Sequence, residues 1–539
     1  MPAPANTAKT SPGLPPTCDV LVVGGGVNGA GIARDLSGRG LRVVLCEKDD
    51  LAQATSSAST KLIHGGLRYL EYYEFSLVRK ALAEREGLLR SAPHIMWPLR
   101  FVMPHDPGMR PAWMIRAGLF LYDHLARREV LPASRGIDLR THDAGAPLQP
   151  RFTRGFVYSD GWVDDARLVV LNALDAAERG ATVLTRWRCV DAERHADAWL
   201  VTLEGAPGER RQVRARALVN AAGPWASQFL REHAHVPGAK SLRLVKGSHV
   251  VVPKMFDHDH AYIFQNPDKR IIFAIPYEQA FTLIGTTDVE HDGAIGAARI
   301  SAGETRYLCE QASRYFAREV KPSDVVWTYS GVRPLLDDES GDPSAVTRDY
   351  SLELDEHAGA PLLTVWGGKI TTFRRLSEEA ADRLARPLAT GSDGPSRGAW
   401  THGVPLPGGD LGAWIGKPQR PDTDFERFAE VVRQRWPRLP AGMLKRLARA
   451  YGSRIDRVLG TGDALGAEVA PGLFEAELAY LHDVEWARAA DDVLWRRSKL
   501  GLHYSAAERA AVAAWCDSHW GPTEDSTSPV PHRTETSWN

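Results

Sequence analysis

The sequence has few cysteines and almost no excess of charge of either sign, and each shortage excludes a class of protein. Its five cysteines show no short repeated spacing, which argues against a disulfide framework and a zinc ribbon and favours a reducing compartment. The 66 lysines and arginines balance 67 aspartates and glutamates, so no bulk field marks a nucleic-acid binder. We therefore expect no metal site and no nucleic-acid partner.

Long hydrophobic runs are also missing. The longest apolar stretch, residues 112–126, is interrupted by Arg116 and Asp123 and is shorter than the ~20 residues that span a bilayer. Residues 1–17 carry five prolines but neither a basic region nor an apolar core, which is typical of a flexible leader and not of a secretory signal. These features predict a cytoplasmic protein without a transmembrane helix.

The chain does contain a strand, turn, helix and strand unit near its start. A β-branched run at 19–23 leads into three glycines, a helical pattern follows at 28–39, and a second apolar run lies at 42–46. Two later apolar runs, 217–221 and 361–366, are also followed by glycine and a helical pattern. We predict that all four strands form one parallel sheet with long insertions, an α/β, Rossmann-like architecture.

Short apolar or alternating runs at close spacing predict a second, mainly antiparallel sheet on the substrate side of the molecule. They lie at 245–253, 262–265, 270–276 and 281–286. From residue 424 onward the apolar spacing is helical, which predicts a separate all-α C-terminal domain.

Three glycines and one acidic residue form the clearest local motif. Gly24, Gly26 and Gly29 make G-x-G-x-x-G between the first strand and helix, and Glu47 ends the second strand. A helix N-terminus offers free amides to a pyrophosphate, and Glu47 can accept hydrogen bonds from a ribose diol. We predict a dinucleotide site. The alternative is a structural glycine turn, and the motif alone does not choose between NAD and FAD.

The segment 54–69, ATSSASTKLIHGGLRY, is dense in hydroxyl groups and small residues. Such a composition suits a backbone that wraps around a large flat cofactor, although a Ser/Thr-rich surface loop is the alternative. The predicted cofactor contacts in this segment are Thr55, Ser56, Ser57, Gly65 and Gly66.

A series of ordered blocks resembles the family of FAD-dependent, aerobic glycerol-3-phosphate dehydrogenases. The blocks include GGGVNGAGIARDLSGRGL, ATSSASTKLIHGGLRYLEYYEF, YSDGWVDDARLV, VNAAGPW, KGSHVVVP, WTYSGVRPL and WGGKITTFRRL, and the match continues through DDVLWRRSKLGL. The resemblance implies a D-amino-acid oxidase-like flavoprotein that oxidises sn-glycerol 3-phosphate to dihydroxyacetone phosphate with FAD. It also implies electron transfer to a membrane quinone from a peripheral position at the cytoplasmic face of the inner membrane.

These patterns and the resemblance together divide the chain. We predict a disordered leader at 1–17, an FAD-dependent oxidoreductase at 18–395, a linker at 396–420, a helical domain at 421–520 and a disordered tail at 521–539. The FAD-binding parts of the oxidoreductase are predicted at about 18–90, 155–240 and 325–390, and its substrate-domain parts at about 91–154 and 241–324.

The substrate that the resemblance implies carries a phosphate dianion, which guanidinium and amine groups bind well. The resemblance assigns substrate binding to Arg68, Tyr69, Arg333 and Lys369, with Thr371 as an additional hydroxyl donor. On the residues alone, Arg68 beside a tyrosine is most often a surface pair, and Arg333 beside a proline predicts a constrained turn.

The C2 hydroxyl of this substrate must lose a proton as the hydride leaves C2, so the site needs a base. His249, on a predicted strand of the substrate layer, is the first choice, and His64, beside two glycines, is the second. A structural histidine is the alternative for each. Arg333 could also stabilise the developing alkoxide.

Three further glycines are predicted to contact the cofactor. Gly223 follows a strand and would approach the adenine or pyrophosphate half, whereas Gly367 and Gly368 precede a helix whose amides would face the N1/O2 edge of the flavin. In both places the alternative is a helix start without a ligand.

Two stretches bear on partners. Residues 110–128 combine apolar and basic side chains as an interfacial helix does, although a buried core helix is equally consistent. We interpret the basic stretch 430–457 as a solvated helix face and not as a nucleic-acid patch. A homodimer is left open. The rival functions are a glycerol-3-phosphate oxidase that uses oxygen and a non-catalytic, flavin-binding regulatory protein.

Overall fold

The computed structural model describes residues 13–106, 108, 110–206, 208–237, 240–336, 349–389, 398–462 and 465–521, without the side chains of Arg68 and Tyr72. Most of the predicted leader, nearly all of the predicted tail and the start of the predicted linker lie outside these residues.

Most strands lie in the first two thirds of the chain, and helices predominate in the last third. The strands are β1 Thr17–Val23, β2 Val43–Glu47, β3 Leu62–Ile63, β4 Met96–His105, β5 Arg135–Asp138, β6 Arg154–Val163, β7 Thr182–Thr185, β8 Arg188–Arg194, β9 Trp199–Glu204, β10 Arg210–Asn220, β11 Leu242–Pro253, β12 Ala261–Gln265, β13 Ile271–Tyr277, β14 Phe281–Gly285, β15 Val289–Glu290, β16 Trp327–Leu336, β17 Ser351–Asp355, β18 Leu362–Trp366, β19 Glu468–Ala470 and β20 Leu473–Phe474. The α-helices are α1 Val27–Gly38, α2 Phe75–Ser91, α3 Ala112–His124, α4 Asp165–Glu178, α5 Ala226–Glu232, α6 Ala302–Ser313, α7 Phe373–Leu388, α8 Gly412–Ile415, α9 Pro421–Arg435, α10 Ala441–Tyr451, α11 Ile455–Leu459, α12 Glu475–Glu485, α13 Leu500–His503 and α14 Ala506–Trp520.

The first sheet has the strand order β17-β18-β10-β1-β2-β7. Strand β1 pairs in parallel with both β2 and β10, and β10 pairs in parallel with β18. These are the four predicted strands, so the parallel, Rossmann-like sheet is confirmed. Strands β8, β9 and β17 extend it by antiparallel pairing. These three strands were not predicted, because their mixed apolar and charged side chains lack the continuous apolar run of a strand buried on both faces.

Both faces of β1 are buried, which explains its uninterrupted apolar run. Val20 and Val22 pack in one core with helices α1, α4 and α7, and Leu21 packs in another with β9 and α5. The carboxyl end of β1 therefore lies inside the molecule, at the edge of the sheet where open α/β folds bind their ligands.

The second sheet has the order β15-β11-β14-β13-β12-β4-β6-β3, with β16 paired to β11 and β5 to β6. The predicted antiparallel strands correspond to β11, β12, β13 and β14, and their mutual pairing is antiparallel. The predicted part boundaries at 155 and 325 need correction. Strands β6 and β16 were assigned to the FAD-binding parts, but they pair with β4 and β11 in the second sheet. A short apolar run does not reveal which sheet it joins, because distant partners decide that.

The C-terminal domain is helical around a core of its own, as predicted, apart from the small β19-β20 hairpin. The described part of the predicted linker is not an open connection. Trp400 donates its indole N–H to the Asp35 carbonyl at 3.0 Å, and Thr401 and Leu406 are buried. Glycine and proline suggested a linker, but these three side chains anchor the segment to the first domain.

Candidate active site

A cavity of about 550 Å³ opens between the two sheets, and residues of both sheets line it. From the first sheet and its loops come the residues that we call the glycine wall: Gly24, Gly26, Glu47, Trp187 and Trp225. A second group of lining residues, which we call the cationic wall, comprises His64, Tyr69, Gly247, Arg333, Lys369 and Thr371. The cavity therefore brings predicted cofactor contacts and predicted substrate-binding residues together, whereas Trp187, Trp225 and Gly247 were not predicted.

The glycines of the G-x-G-x-x-G motif allow α1 to begin against the ends of the strands. Gly24 has a φ of +113°, and a Cβ there would lie 2.5 Å from the Ala221 carbonyl oxygen. A Cβ on Gly29 would lie 1.9 Å from the Gly24 carbonyl oxygen. Gly29 does not line the cavity itself. Because Gly29 has no side chain, the N-terminus of α1, with its positive dipole end, can lie close to the cavity.

Glu47 ends β2 and lines the cavity. Its carboxylate accepts hydrogen bonds from the Gly25 amide at 2.6 Å and the Asp49 amide at 2.9 Å, while burial raises its pKa. The indoles of Trp187 and Trp225 lie on the same wall. An acceptor for a ribose beside flat aromatic groups suits the adenosine half of a dinucleotide.

The hydroxyl-rich segment contributes Thr55 and Ser56, two of the predicted cofactor contacts, to the lining of the cavity. Thr55 donates its hydroxyl to the Val332 carbonyl at 2.6 Å, and Ser56 accepts from the Val27 amide at 2.9 Å. Three other predicted contacts of this segment, Ser57, Gly65 and Gly66, do not line it.

Those three residues have local roles. Ser57 bonds back to the Ala54 carbonyl, and the Gly65 amide donates to the Tyr122 hydroxyl at 2.8 Å. Gly66 has a φ of +74° and lies against the ring of Tyr69. Composition identified the segment, but only tertiary packing decides which of its residues face the cavity.

A buried carboxylate that the sequence analysis missed holds this segment in place. Asp165, at the start of α4, accepts hydrogen bonds from the Ser59 hydroxyl and the Lys61 ammonium group, each at 2.7 Å. Both members of the Lys61–Asp165 pair are almost fully buried. More than a hundred residues separate them in the chain, so no local pattern could have indicated the pair.

Arg333 lies on strand β16 and not in the predicted turn. Its guanidinium forms an ion pair with Asp288 and donates to the Thr286 hydroxyl at 3.0 Å. Its approach also requires Gly247, because a Cβ there would lie 2.2 Å from an Arg333 guanidinium nitrogen. The proline after Arg333 is tolerated in the strand. Asp288 and Thr286 were not predicted.

The rest of the cationic wall comes from two loops. The Lys369 ammonium nitrogen lies 3.9 Å from the centroid of the Tyr69 ring, a cation–π contact. The Thr371 hydroxyl accepts a hydrogen bond from the His64 backbone amide at 3.3 Å. Four of the five predicted substrate-binding residues thus line the cavity. The side chain of the fifth, Arg68, lies outside the described residues.

The two histidines considered as the base differ in position. His64 lines the cavity, whereas His249 is 1% exposed and does not line it. The His249 Nε2 is 2.9 Å from the Thr60 hydroxyl, and its ring stacks on Tyr329. Burial, with the nearby positive charges of Arg333 and Lys61, lowers the pKa of His249 well below its ordinary value.

Gly223, Gly367 and Gly368, the three further glycines predicted to contact the cofactor, line the cavity, each with a positive φ. A Cβ on Gly368 would lie 2.8 Å from Nδ2 of the Asn28 side chain. The same nitrogen donates a hydrogen bond to the Gly367 carbonyl at 3.2 Å. The Asn28 side-chain oxygen is buried without a hydrogen-bond partner among the described residues. A bound ligand that donates a hydrogen bond would satisfy it.

The donor set of the cavity fits a flavin dinucleotide. The glycine wall and its neighbours supply four features that suit this cofactor. They are close backbone approaches that exclude side chains, a helix N-terminus, an acidic acceptor for a ribose and the unpartnered oxygen of Asn28. Within the described ranges, no group of three or more His, Cys, Asp or Glu side chains is arranged to hold a metal ion. The cationic wall adds groups that bind a phosphorylated ligand.

Comparison with known proteins extends this picture. The sequence model of the family described as FAD dependent oxidoreductase matches residues 19–374, and that of the C-terminal domain of alpha-glycerophosphate oxidase matches residues 399–518. The chain is 51% identical to a glycerol-3-phosphate dehydrogenase of Pseudomonas aeruginosa, over 93% of this chain and 95% of that one. It is 50% identical to a D-erythritol 1-phosphate dehydrogenase of Brucella abortus, over 94% and 98%.

A solved structure gives the same result for the fold. The glycerol-3-phosphate dehydrogenase from Bacillus halodurans, solved in complex with FAD, superimposes with a TM-score of 0.74 at 27% identity. The similarity covers 94% of this chain and 92% of that one, so it includes both sheets and the helical domain.

Proposed function

We propose that this chain, which belongs to the FAD-dependent oxidoreductase family, oxidises sn-glycerol 3-phosphate to dihydroxyacetone phosphate. Relatives that are about half identical over nearly the whole chain carry the name of that activity. The observation that carries the proposal is the cavity itself, which is lined both by glycines of a motif typical of dinucleotide sites and by Arg333 and Lys369. One cavity therefore offers groups suited to a flavin dinucleotide and groups suited to a small phosphoester.

FAD, when bound, accepts the hydride that leaves C2 of the substrate. The chain's own residues hold and orient it. Glu47 is positioned to accept hydrogen bonds from the ribose, and the N-terminus of α1 is positioned for the pyrophosphate. The loop of Gly367 and Gly368 precedes α7, and its amides suit the negative charge that builds up on a reduced flavin ring.

Arg333 and Lys369 bind the phosphate in this proposal. Arg333 has a fixed orientation because Asp288 and Thr286 hold its guanidinium, and the Tyr69 ring supports the ammonium group of Lys369. A guanidinium held in one geometry loses little conformational freedom when a phosphate binds. The anchored phosphate then determines which carbon of the substrate lies beside the flavin.

We assign the role of base to His64 and not to the first choice from the sequence, His249. His64 lines the cavity, so an imidazole nitrogen of His64 can accept the C2 hydroxyl proton. His249 lies behind the cavity surface, and its lowered pKa makes it a poor proton acceptor. His249 instead supports the wall through Thr60 and Tyr329.

A second substrate has a specific observation in its favour. A relative that is 50% identical to this chain is named as a D-erythritol 1-phosphate dehydrogenase. That substrate has one more hydroxylated carbon but the same phosphoester, so the same cations would bind it. Its oxidation is the alternative activity of this site.

Turnover with a panel of polyols separates these activities. The purified enzyme is assayed with an artificial electron acceptor and glycerol 3-phosphate, D-erythritol 1-phosphate or glycerol, and the ketone product is identified. We expect the highest kcat/KM for glycerol 3-phosphate and almost none for glycerol, which lacks the phosphate. A higher kcat/KM for D-erythritol 1-phosphate than for glycerol 3-phosphate would make D-erythritol 1-phosphate the primary substrate. Turnover of glycerol equal to that of glycerol 3-phosphate would refute phosphate recognition.

We further propose a membrane quinone as the electron acceptor. The near relatives are named as dehydrogenases, which favours a quinone over oxygen. This chain shares its fold with an L-alpha-glycerophosphate oxidase from Mycoplasma pneumoniae. At 18% identity, that similarity shows the fold alone and not the electron acceptor. Hydrogen peroxide yield, measured beside the reduction of a soluble quinone, tests the choice.

A peripheral position at the inner membrane surface accompanies the quinone in this proposal. None of the helices in the described ranges is long and apolar enough to cross a bilayer. Helix α3 buries Leu119 and Tyr122 but leaves its other face in solvent. The exposed large apolar side chains of this region are Tyr73, Phe75, Trp113, Met114, Phe120 and Leu121. Co-sedimentation with anionic vesicles tests this surface, since an interfacial helix would bind them.

Three arginines of the basic stretch at 430–457 contact other parts of the protein, whereas Arg433, Arg435, Arg438, Lys445 and Arg457 are exposed. Arg446 pairs with Glu477 inside the C-terminal domain, and Arg454 pairs with Glu178 of α4. Arg449 lies over the rings of Phe425 and Trp97. A homodimer remains a prediction, and light scattering of the purified protein tests it.

A further inference from the structure

A short segment of the C-terminal domain contacts both parts of the molecule that form the cavity. Residues Asp492–Arg497 form a single widened helical turn that precedes α13. Two arginines of this turn reach the loop that follows β2 of the first sheet, and one tryptophan reaches β16 of the second sheet. The turn is well placed to fix the position of one part relative to the other.

The contact with the first domain is a buried ion pair. The guanidinium of Arg497 lies 2.7 Å from each oxygen of Asp50, and both side chains have no exposed surface. Arg496 adds a contact of 2.6 Å to the same carboxylate. Burial alone would raise the pKa of Asp50, but the two arginines lower it well below the ordinary value. Asp50 therefore stays ionised and its pairs stay formed.

Asp50 belongs to the turn that carries the glycine wall. It lies three residues after Glu47, and its amide donates to the side-chain oxygen of Gln53 at 3.2 Å. Glu47 and Gln53 both line the cavity. Fixing Asp50 consequently fixes the turn that presents Glu47 to the adenosine half of the cofactor.

The contact with the second sheet is an aromatic stack. Trp495 stacks on Trp327 with ring centroids 4.8 Å apart and an angle of 13° between the planes. Trp327 begins β16 and contacts Tyr329, whose hydroxyl donates to the Ser59 carbonyl. Alternate residues of a strand share a face, so Trp327, Tyr329 and Arg333 form one row that leads to the cavity.

We propose that the turn 492–497 is a brace that positions the glycine wall through Asp50 and the cationic wall through Trp327. Arg497 and Trp495 are positioning residues, because neither lines the cavity. The brace gives the C-terminal domain a role in the site. Since its two contacts go to different walls, they affect different ligands. Loss of the Arg497 contact weakens the binding of FAD. Loss of the Trp495 contact weakens the binding of the phosphate-bearing ligand.

The test compares Trp495→Leu and Arg497→Lys with matched controls. Trp515→Leu removes a tryptophan that stacks on His519, within the C-terminal domain. Arg446→Lys alters a second, partly buried pair of an arginine with a carboxylate, to Glu477. For each variant we measure the melting temperature and the dissociation constant of FAD from apoprotein fluorescence. In the holoenzyme, the dissociation constant of inorganic phosphate is measured from the flavin absorption spectrum.

We expect Trp495→Leu to raise the phosphate dissociation constant at least about fivefold and to leave that of FAD within about twofold. Arg497→Lys should raise the FAD dissociation constant by about tenfold with a smaller effect on phosphate. Trp495→Phe keeps the stack and should restore phosphate binding. If Arg497→Lys does not fold, Arg496→Gln tests the same carboxylate from its less buried partner.

Unchanged dissociation constants beside lowered melting temperatures would overturn the brace, as would equal changes of both constants in the variants and the controls. The phosphate measurement rests on the proposed function, whereas the FAD measurement does not. A wild-type protein that binds FAD but neither phosphate nor glycerol 3-phosphate would refute the proposed function, and the FAD result for Arg497 would still decide on the brace.

Discussion

The glycine wall and the cationic wall meet in one cavity, but they are built differently. The glycine wall depends on backbone, because Gly24 of the wall and Gly29 behind it allow main-chain atoms to approach where any Cβ would collide. The cationic wall depends on side-chain charge, gathered from β16 and from loops near residues 64 and 369. Changes in the first wall should therefore remove the cofactor, and changes in the second should spare it while they impair the reaction.

The largest expected effect would test the backbone side of this comparison. We predict that Gly29→Val yields protein without flavin, since its Cβ would lie 1.9 Å from the Gly24 carbonyl oxygen and push α1 away. The measurement is the ratio of flavin absorbance to protein absorbance after purification. Gly118→Ala, in α3 with open space around it, is the control and should keep its flavin. A Gly29→Val protein with full flavin content would contradict the role of this glycine.

The second largest expected effect tests the side-chain charge of the cationic wall. Arg333→Met should lower kcat/KM for glycerol 3-phosphate by at least about a hundredfold, because a charge-assisted contact of about 3 kcal/mol is lost, while flavin content is kept. Steady-state kinetics and the visible spectrum measure the two outcomes. Arg211→Met, at an exposed position of β10, is the control. Unchanged kinetics, or loss of flavin, would contradict the claim that the cationic wall serves the substrate and the glycine wall serves the cofactor.

The two histidines sharpen the comparison within the cationic wall. His64→Ala should lower kcat by about a hundredfold at neutral pH, since a base at the cavity is lost. His249→Phe should reduce kcat much less and lower the melting temperature more, because His249 is a buried packing group. Measurements of kcat and of thermal unfolding on both variants decide this. The reverse order of kcat effects would return the role of base to His249.

The smallest effect concerns pH and stability. The folded-state pKa of His249 is depressed, so the unfolded chain binds a proton that the folded chain does not once the pH falls below about 6.5. The free energy of unfolding should then fall with falling pH, by up to about 1.4 kcal/mol per pH unit for this group. His249→Phe should show a shallower fall than the wild type in denaturant titrations between neutral and mildly acidic pH. Parallel curves would remove His249 as the source.

Local spacing in the sequence was enough to predict most of the glycine wall. Gly24, Gly26 and Glu47 lie within one short unit whose strand and helix have clear periodicities, and that unit folds as predicted. The cationic wall could not be found in this way. Arg333 and Lys369 were identified through a family resemblance, because no local pattern distinguishes a binding arginine from a structural one.

Other parts of the site were beyond prediction because they depend on contacts between distant segments. Asp165 supports the loop of Lys61, and Asp288 orients Arg333, but neither pair is close in sequence. The burial of His249 could not be foreseen either. A histidine on a strand faces a cavity or a core according to how neighbouring strands pack, and the sequence of the strand alone does not contain that information.

The central claim is that one cavity holds FAD beside a glycerol 3-phosphate whose C2 carbon gives up a hydride. Adding glycerol 3-phosphate to the purified holoenzyme under argon tests this claim most directly. We expect the flavin absorption band at about 450 nm to bleach on addition of the substrate and to return when an electron acceptor is supplied. A flavin that stays oxidised with excess substrate, or a purified protein without flavin, would contradict it.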